Sequence, residues 1–196
     1  MNYSIFDVDG TILDSMEVWN TLASRYIQSL DRIPEKNLDK IVSEMSLEQS
    51  AIYLKKHYRI NKQEEVIISE VLNLISDFYK YEVKLMPGFK NFITHFDSMN
   101  VIGTSCDEKL VKSALKRLGV LDYFEDIMTC SKVNKGKDDP GFYLACADIL
   151  EQKPDNIFVF EDADYCIDAA RKVGFKVIKI KDWRDLNEEC INNCGK

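Results

Sequence analysis

The chain has 196 residues, 45% of them hydrophobic and 30% charged, which suits one large globular domain or one domain with a small insertion and argues against disorder. Its net charge of −7 and its pI near 5.0 disfavour nucleic acid and anionic membranes as partners, because both select basic surfaces. The longest apolar runs are far too short to span a bilayer, and no signal-peptide pattern follows Met1, so we expect a cytoplasmic protein that is a monomer or weak homodimer.

The cysteines favour a reducing compartment. Most of them lie in apolar segments, where a free thiol behaves as a small hydrophobic group. None is paired at a zinc-type spacing, and the last two, which are separated by three residues, have no further ligands nearby in the sequence. The six positions are Cys106, Cys130, Cys146, Cys166, Cys190 and Cys194.

Five short apolar runs predict the strands of a parallel sheet. They lie at about residues 3–7, 100–104, 126–130, 157–161 and 175–180. Most of them do not alternate between apolar and polar residues, which is typical of strands buried on both faces. Helical patterns lie between the later runs, at about 110–118, 142–150 and 167–173. This alternation predicts a doubly wound α/β core of the Rossmann-like type.

One stretch, from about residue 15 to residue 82, shows only helical periodicity. Its apolar residues recur at the spacing of amphipathic helices, and Pro87-Gly88 marks the return to the strand–helix alternation. We therefore predict an α-helical cap domain of four helices at 15–85, inserted after the first strand. The α/β catalytic core would then consist of 1–14 and 86–196.

Polar groups follow the predicted strands at their carboxyl ends, where ligands bind in an open α/β sheet. Four acids, two hydroxyls and a lysine should meet at this edge. Several buried carboxylates cannot share a site as anions without a cation, and Mg²⁺ prefers oxygen ligands. Aspartate is also a known covalent nucleophile towards phosphate. The segments are Asp7-Val-Asp9-Gly10-Thr11, Thr104-Ser105, Gly136-Lys137 and Glu161-Asp162.

These four segments resemble the four ordered motifs of the haloacid dehalogenase superfamily. The helical insert, with Asp14-Ser15 at its entrance, resembles that of the beta-phosphoglucomutase-like branch. The resemblance covers essentially the whole chain and implies a Mg²⁺-dependent phosphatase that acts on a small phosphorylated metabolite through an aspartyl phosphate.

The resemblance also implies a role for each matched acid. Asp7 would attack phosphorus and ligate Mg²⁺ with its second carboxylate oxygen. Asp9 would protonate the leaving alkoxide, then deprotonate the attacking water, and its carbonyl would reach the metal. Asp162 would anchor Mg²⁺, with Glu161 as a direct or water-mediated ligand.

The phosphoryl group would be held by the remaining matched residues. Thr104 would donate a hydrogen bond to it, assisted by the N–H of Ser105. Lys137 would neutralise both the phosphoryl group and the nucleophile. The segment between Pro87 and Thr104 is shorter than in similar proteins, which predicts a clipped second strand.

The cap residues bear on the choice between hydrolysis and other activities. We expect Met16, Trp19 and Leu47, with their neighbours Met45 and Ser46, to face the site and to make its pocket apolar. The sugar-phosphate mutase of this branch carries a histidine and an arginine where Trp19 and Leu47 stand. Hydrolysis is therefore favoured, and a mutase remains the alternative.

A third interpretation is a phospho-receiver or a catalytically silent phospho-binding module. Receivers share the acids, the hydroxyl and the lysine. They lack the Asp-x-Asp-Gly-Thr segment and the helical insertion, so this interpretation is the weakest of the three.

Overall fold

The computed structural model describes residues 2–43 and 45–186. Five parallel strands form a single sheet in the order β3-β2-β1-β4-β5. Their bounds are β1 (Asn2–Phe6), β2 (Ser98–Thr104), β3 (Asp126–Thr129), β4 (Ile157–Glu161) and β5 (Lys176–Lys179). The sequence order reverses between β1 and β4, which opens a crevice at their carboxyl ends.

The strands are connected by helices, as the alternation of patterns predicts. In the described part of the chain these are α1 (Met16–Ser29), α2 (Leu38–Val42), α3 (Leu47–His57), α4 (Glu64–Asp77), α5 (Phe89–His95), α6 (Glu108–Arg117), α7 (Cys130–Val133), α8 (Pro140–Leu150) and α9 (Asp164–Lys172). A π-helical turn, Phe78–Glu82, extends α4. The predicted doubly wound α/β fold is confirmed. None of the helices in the described ranges is long and apolar enough to cross a membrane.

The first four helices lie between β1 and β2, where the periodicity predicts a helical insertion. Helix α4 packs against both α1 and α3, and α2 packs against α1. Leu22, Ile27 and Ile67 are among the buried side chains of this bundle. Its treatment as a separate cap domain with the boundaries given above remains a prediction.

The second strand differs from the prediction. We expected it to be clipped, yet β2 has seven residues and is the longest strand of the described sheet. The preceding helix, α5, also has seven residues and connects to β2 within two residues. A central strand with neighbours on both sides gains ladder hydrogen bonds along its length, whereas the preceding surface helix can be shortened without that loss.

An aromatic cluster lies under the loop that follows β1. The indole N–H of Trp183 donates a hydrogen bond to the Thr11 carbonyl at 2.6 Å. The Trp183 ring stacks on Phe6, with the centroids 5.9 Å apart, and Phe6 stacks on Phe160 at 4.5 Å. These rings therefore fix the carboxyl ends of β1 and β4 relative to each other.

Four cysteines are buried free thiols: Cys106, Cys130, Cys146 and Cys166. The other two, Cys190 and Cys194, lie outside the described residues.

Candidate active site

Two carboxylates, Asp7 and Asp9, follow β1 directly. The chain reverses after them because the amides of Ile12 and Leu13 both donate to the carbonyl of Val8, at 2.9 and 2.8 Å. Asp7 remains bound to the sheet through its own N–H, which donates to the carbonyl of the residue that pairs with Phe6 on β4. Both side chains are thereby directed into the crevice at the edge of the sheet.

The turn that follows Asp9 requires a glycine at position 10. Its φ of +88° lies in the left-handed region, where a side chain is strained. A Cβ at this position would collide with the Asp162 carboxylate. The glycine therefore lets the loop after β1 approach the loop after β4.

Lys137 lies between two of the acids. Its ammonium donates to Asp7 Oδ1 at 2.7 Å and forms an ion pair with Glu161 Oε1. It reaches them from the loop that follows α7, and its side chain is only 4% exposed. Although burial favours the neutral amine, the adjacent Asp7 and Glu161 hold the pKa of Lys137 well above its usual value. Lys137 is therefore a buried cation.

Glu161 is held by hydrogen bonds on both carboxylate oxygens. Besides Lys137, its Oε1 accepts from the hydroxyl of Tyr143 at 3.3 Å. Its Oε2 accepts from the backbone amides of Asp162 and Ala163, at 2.8 and 3.1 Å. Burial works to raise the pKa of Glu161, but the charge of Lys137 outweighs it and the pKa falls below the usual value. Glu161 is consequently ionised and fixed in orientation.

The negative charge in this cluster exceeds the positive charge. Asp7, Glu161 and Asp162 each bring a carboxylate oxygen within 4.8 Å of the others, and among the described residues only Lys137 forms an ion pair with this cluster. Burial and the Glu161 carboxylate raise the pKa of Asp7 well above its usual value. The same two causes raise the pKa of Asp162 to about 7. Three convergent carboxylates with unbalanced charge offer the oxygen donors that suit a hard divalent cation.

Thr104 ends β2 and Ser105 follows it, on the other side of β1 from β4. The Thr104 side-chain oxygen accepts from the N–H of Cys106 at 3.0 Å, which leaves its O–H able to donate to a ligand. Thr104 is 1% exposed, whereas Ser105 is half-buried. Both residues line the same cavity as Lys137. The structure thus brings together all of the core residues that the sequence motifs single out.

The Asp9 carboxylate is held from the helical side of the site. Ser15 Oγ donates to its Oδ1 at 2.6 Å, and the hydroxyl of Tyr79 donates to the same oxygen. Tyr79 in turn accepts from the indole N–H of Trp19 at 2.7 Å. Burial raises the pKa of Asp9, and the hydrogen bonds from Ser15 and Tyr79 oppose that rise. Asp9 also lines the cavity that contains Thr104 and Lys137.

A cavity of about 310 Å³ extends from the acids into the helical bundle. Met16, Trp19, Met45 and Leu47 line it, as expected from the sequence. Ser46 instead is the N-cap residue of α3. Its hydroxyl accepts from the backbone N–H of Gln49, and the Gln49 side chain accepts from the N–H of Ser46, which forms a capping box.

Two residues of the site, Tyr79 and Tyr143, could not be predicted from the sequence. Tyr79 lies in the π-helical turn. Its spacing from the apolar residues before it predicts only an ordinary apolar face of a helix. Tyr143 belongs to α8, which is apolar on most of its surface. Nothing in the local sequence distinguishes either hydroxyl from that of a core tyrosine.

Comparison with known proteins identifies the family of the chain. A model of the haloacid dehalogenase-like hydrolases matches residues 4–180 of the chain. Beta-phosphoglucomutase of Bacillus subtilis is 27% identical over 190 residues, which cover 92% of this chain and 83% of that protein. The fructose-1-phosphate phosphatase YqaB of Escherichia coli is 26% identical over 186 residues, covering 90% and 95% of the two chains.

The fold agrees as well. The crystal structure of beta-phosphoglucomutase from Clostridium difficile superposes with a TM-score of 0.82 at 18% identity, covering 100% of this chain and 97% of that one. The match of the family model over most of the chain, on the fold and motifs described above, shows that this chain belongs to the haloacid dehalogenase-like hydrolase family, in its beta-phosphoglucomutase-like branch.

Proposed function

We propose that this enzyme, a phosphoric monoester hydrolase of the haloacid dehalogenase superfamily, is a Mg²⁺-dependent phosphatase that cleaves a small phosphate monoester through an aspartyl phosphate on Asp7. The observation that carries the proposal is the position of Asp7. Its carboxylate lies 2.7 Å from the Lys137 ammonium and within 4.8 Å of the Glu161 and Asp162 carboxylates, at the inner end of a cavity. A nucleophile, a cation and a group of metal-type ligands therefore adjoin one another.

The donor set fits magnesium. Asp7 and Asp162 would hold the ion, with the Asp9 carbonyl, while Glu161 would support it directly or through water. When bound, Mg²⁺ would supply the positive charge that lets an anionic phosphoryl group approach these carboxylates.

In the first step, a carboxylate oxygen of Asp7 attacks phosphorus. A P–O bond to Asp7 forms while the P–O bond to the leaving alcohol breaks. Asp9 transfers its proton to the departing alkoxide oxygen, so that a neutral alcohol leaves. Lys137 and the Thr104 hydroxyl compensate the charge on the phosphoryl oxygens.

In the second step, water attacks the phosphorus of the aspartyl phosphate. Asp9, now a carboxylate, takes a proton from the water. The bond between phosphorus and Asp7 breaks, which releases inorganic phosphate and restores both acids to their starting states. The raised pKa of Asp9 suits a group that must carry a proton in one step and accept it in the next.

A phosphate-transferring mutase is the second candidate, since beta-phosphoglucomutase is among the relatives. Such an enzyme must hold a second phosphate while the first is transferred. Among the cavity-lining residues in the part of the chain that the structure describes, Lys137 is the sole lysine or arginine, and it is already paired with Asp7 and Glu161. Trp19 and Leu47 add no charge, so hydrolysis is the better supported activity. A silent phospho-binding module is less well supported, because that function requires no acid-base group such as Asp9.

Phosphate release from an aryl phosphate, measured with and without Mg²⁺, tests the proposal. Activity should require Mg²⁺ and should not be supported by Ca²⁺, whose longer bonds and higher coordination number would misplace the Asp7 oxygen. Asp7→Asn should abolish activity and preserve the circular dichroism spectrum. Phosphate release by Asp7→Asn above a few per cent of the wild-type rate, an order-of-magnitude bound for loss of a nucleophile, would exclude Asp7 from that role. A coupled assay should detect no interconversion of beta-glucose 1-phosphate and glucose 6-phosphate.

A further inference from the structure

The helical part of the cavity is mostly apolar. Helices α1, α3 and α4 each direct one face into it, with side chains at the three- and four-residue spacing of a single helical stripe. The apolar residues of these faces include Met16, Trp19, Leu47, Leu54, Ile67 and Val71. A substrate whose phosphoryl group reaches Asp7 would therefore place its alcohol portion among hydrocarbon side chains.

Most of the polar groups on these walls are already hydrogen-bonded within the protein; the exposed amide of Asn20 is the exception among the described wall residues. Asp39 accepts from the backbone N–H of Ser24 at 3.0 Å and also from the Ser24 hydroxyl. The hydroxyl of Ser43 donates to the Lys40 carbonyl at 2.9 Å. The indole N–H of Trp19 donates to the hydroxyl of Tyr79. Few partners thus remain for the hydroxyl groups of a substrate.

We infer that the alcohol portion of the substrate is apolar, an aliphatic or aromatic group with few hydroxyls and no second anion, rather than a sugar. This inference rests on the proposed phosphatase function and specifies its substrate class. A sugar carries several hydroxyls, and most of them would lose their hydrogen bonds to water in this cavity without regaining them, which disfavours binding. Each methylene that enters it would instead remove apolar surface from water.

The inference departs from the substrates named for several of the relatives, which include phosphorylated carbohydrates and a hexitol phosphate. The Escherichia coli relative is named a fructose-1-phosphate phosphatase. At 26% identity the two chains can share the acids and the lysine of the core while their cavity walls differ. The cavity of this chain, at about 310 Å³, has room for a phosphoryl group and a small alcohol portion.

A series of phosphate esters tests the inference with the Mg²⁺-loaded wild-type protein. Ethyl, butyl and hexyl phosphate should show kcat/KM rising by up to about fourfold for each methylene that enters the cavity. Glucose 6-phosphate and fructose 1-phosphate should fall below hexyl phosphate by about tenfold to a hundredfold, since an apolar pocket rejects a hydroxylated ligand only to that extent. A flat alkyl series, or a preference for either sugar phosphate, would overturn the inference and leave the phosphatase function intact.

A pair of variants on α4 tests whether its cavity face produces the preference for longer alkyl chains. Val71→Thr keeps the shape of a buried cavity residue but adds a hydroxyl, and it should lower kcat/KM for hexyl phosphate several-fold while sparing ethyl phosphate. Val66→Thr makes the same change on the exposed face of the same helix, where the side chain is 45% accessible, and should alter neither value. Equal effects of the two variants would contradict the inference that the alkyl chain of the substrate contacts this face of α4.

Binding of phosphonates separates the inference from the proposed function. Calorimetry with ethylphosphonate and hexylphosphonate requires no turnover, and it can be done with wild-type protein alone. Hexylphosphonate should bind more tightly, with a more negative heat capacity change. If none of the esters is hydrolysed, the proposed function fails. The inference fails only when hexylphosphonate binds no better than ethylphosphonate.

Discussion

The hydroxyl of Tyr79 donates a hydrogen bond to the carboxylate of Asp9. Tyr79 comes from the π-helical turn that extends α4, whereas Asp9 lies in the loop after β1. Burial and the Asp9 charge keep the pKa of Tyr79 well above its usual value, so the phenol remains protonated and donates. A proton-transfer group in the sheet loop is therefore held in place by the helical insertion. π-Helical turns of this kind occur frequently at functional sites.

Removal of the Tyr79 hydroxyl should impair the acid-base steps. In Tyr79→Phe, we expect kcat for an alkyl phosphate to fall by about tenfold, a fraction of the 10²- to 10⁴-fold that general acid-base catalysis contributes. The pKa of Asp9 should rise, because the hydrogen bond that lowers it is lost. Since Asp9 must be ionised to act as base, the acidic limb of the pH–kcat profile should move to higher pH. Steady-state kinetics across the pH range measures both effects.

The matched control is Tyr81→Phe, which makes the same change two residues away in the same turn, at a side chain that is 62% exposed. It should leave kcat and the pH profile unchanged. An unshifted acidic limb in Tyr79→Phe would show that Tyr79 does not position Asp9.

The unbalanced charge at the acid cluster should make the stability of the metal-free protein fall as pH rises. The pKa of Asp162 is about 7 in the folded protein against an ordinary value of 3.8, and that of Asp7 is raised in the same direction. Between those values the folded state binds more protons than the unfolded chain, so the free energy of unfolding decreases with pH. Denaturation in the presence of a chelator should give a lower midpoint at about pH 8 than at about pH 5.5. Excess Mg²⁺ should restore the midpoint at the higher pH, because it binds only the folded state.

Two asparagine variants check this stability effect. Asp162→Asn should weaken the pH dependence of the metal-free protein and the response to Mg²⁺. Asp168→Asn removes an exposed carboxylate from α9 and should change neither. A metal-free stability that is constant or rises across this pH window would contradict the charge imbalance that the cluster implies.

The strands and the core acids could be predicted from the sequence because both follow from local patterns. A buried parallel strand such as β4 is a continuous apolar run, and the residues after it must lie at the ligand-binding edge. Asp7, Glu161 and Lys137 are far apart in sequence, yet parallel topology brings them to one place.

The contacts between the helical insertion and the loop could not be predicted in this way. The pairing of Tyr79 with Asp9 depends on how the bundle packs against the sheet, and the sequence shows Tyr79 only as one more aromatic residue on a helical stripe. The length of β2 was misjudged for a related reason: the number of residues between two landmarks does not say which element becomes short. Here the central strand has seven residues, as many as the helix α5 before it.

The formation of a phosphoryl enzyme on Asp7 is tested most directly by trapping it. Asp9→Asn removes the base of the second step, whereas an aryl phosphate with a good leaving group needs little acid in the first. The aspartyl phosphate should therefore accumulate during a single turnover of Asp9→Asn. Intact-mass spectrometry of the acid-quenched protein should show one added phosphoryl group, localised to Asp7 by peptide mapping and absent from the Asp7→Asn, Asp9→Asn double variant. If Asp9→Asn turns the substrate over slowly and no labelled protein forms at any time, the double displacement is wrong and direct attack by water must replace it.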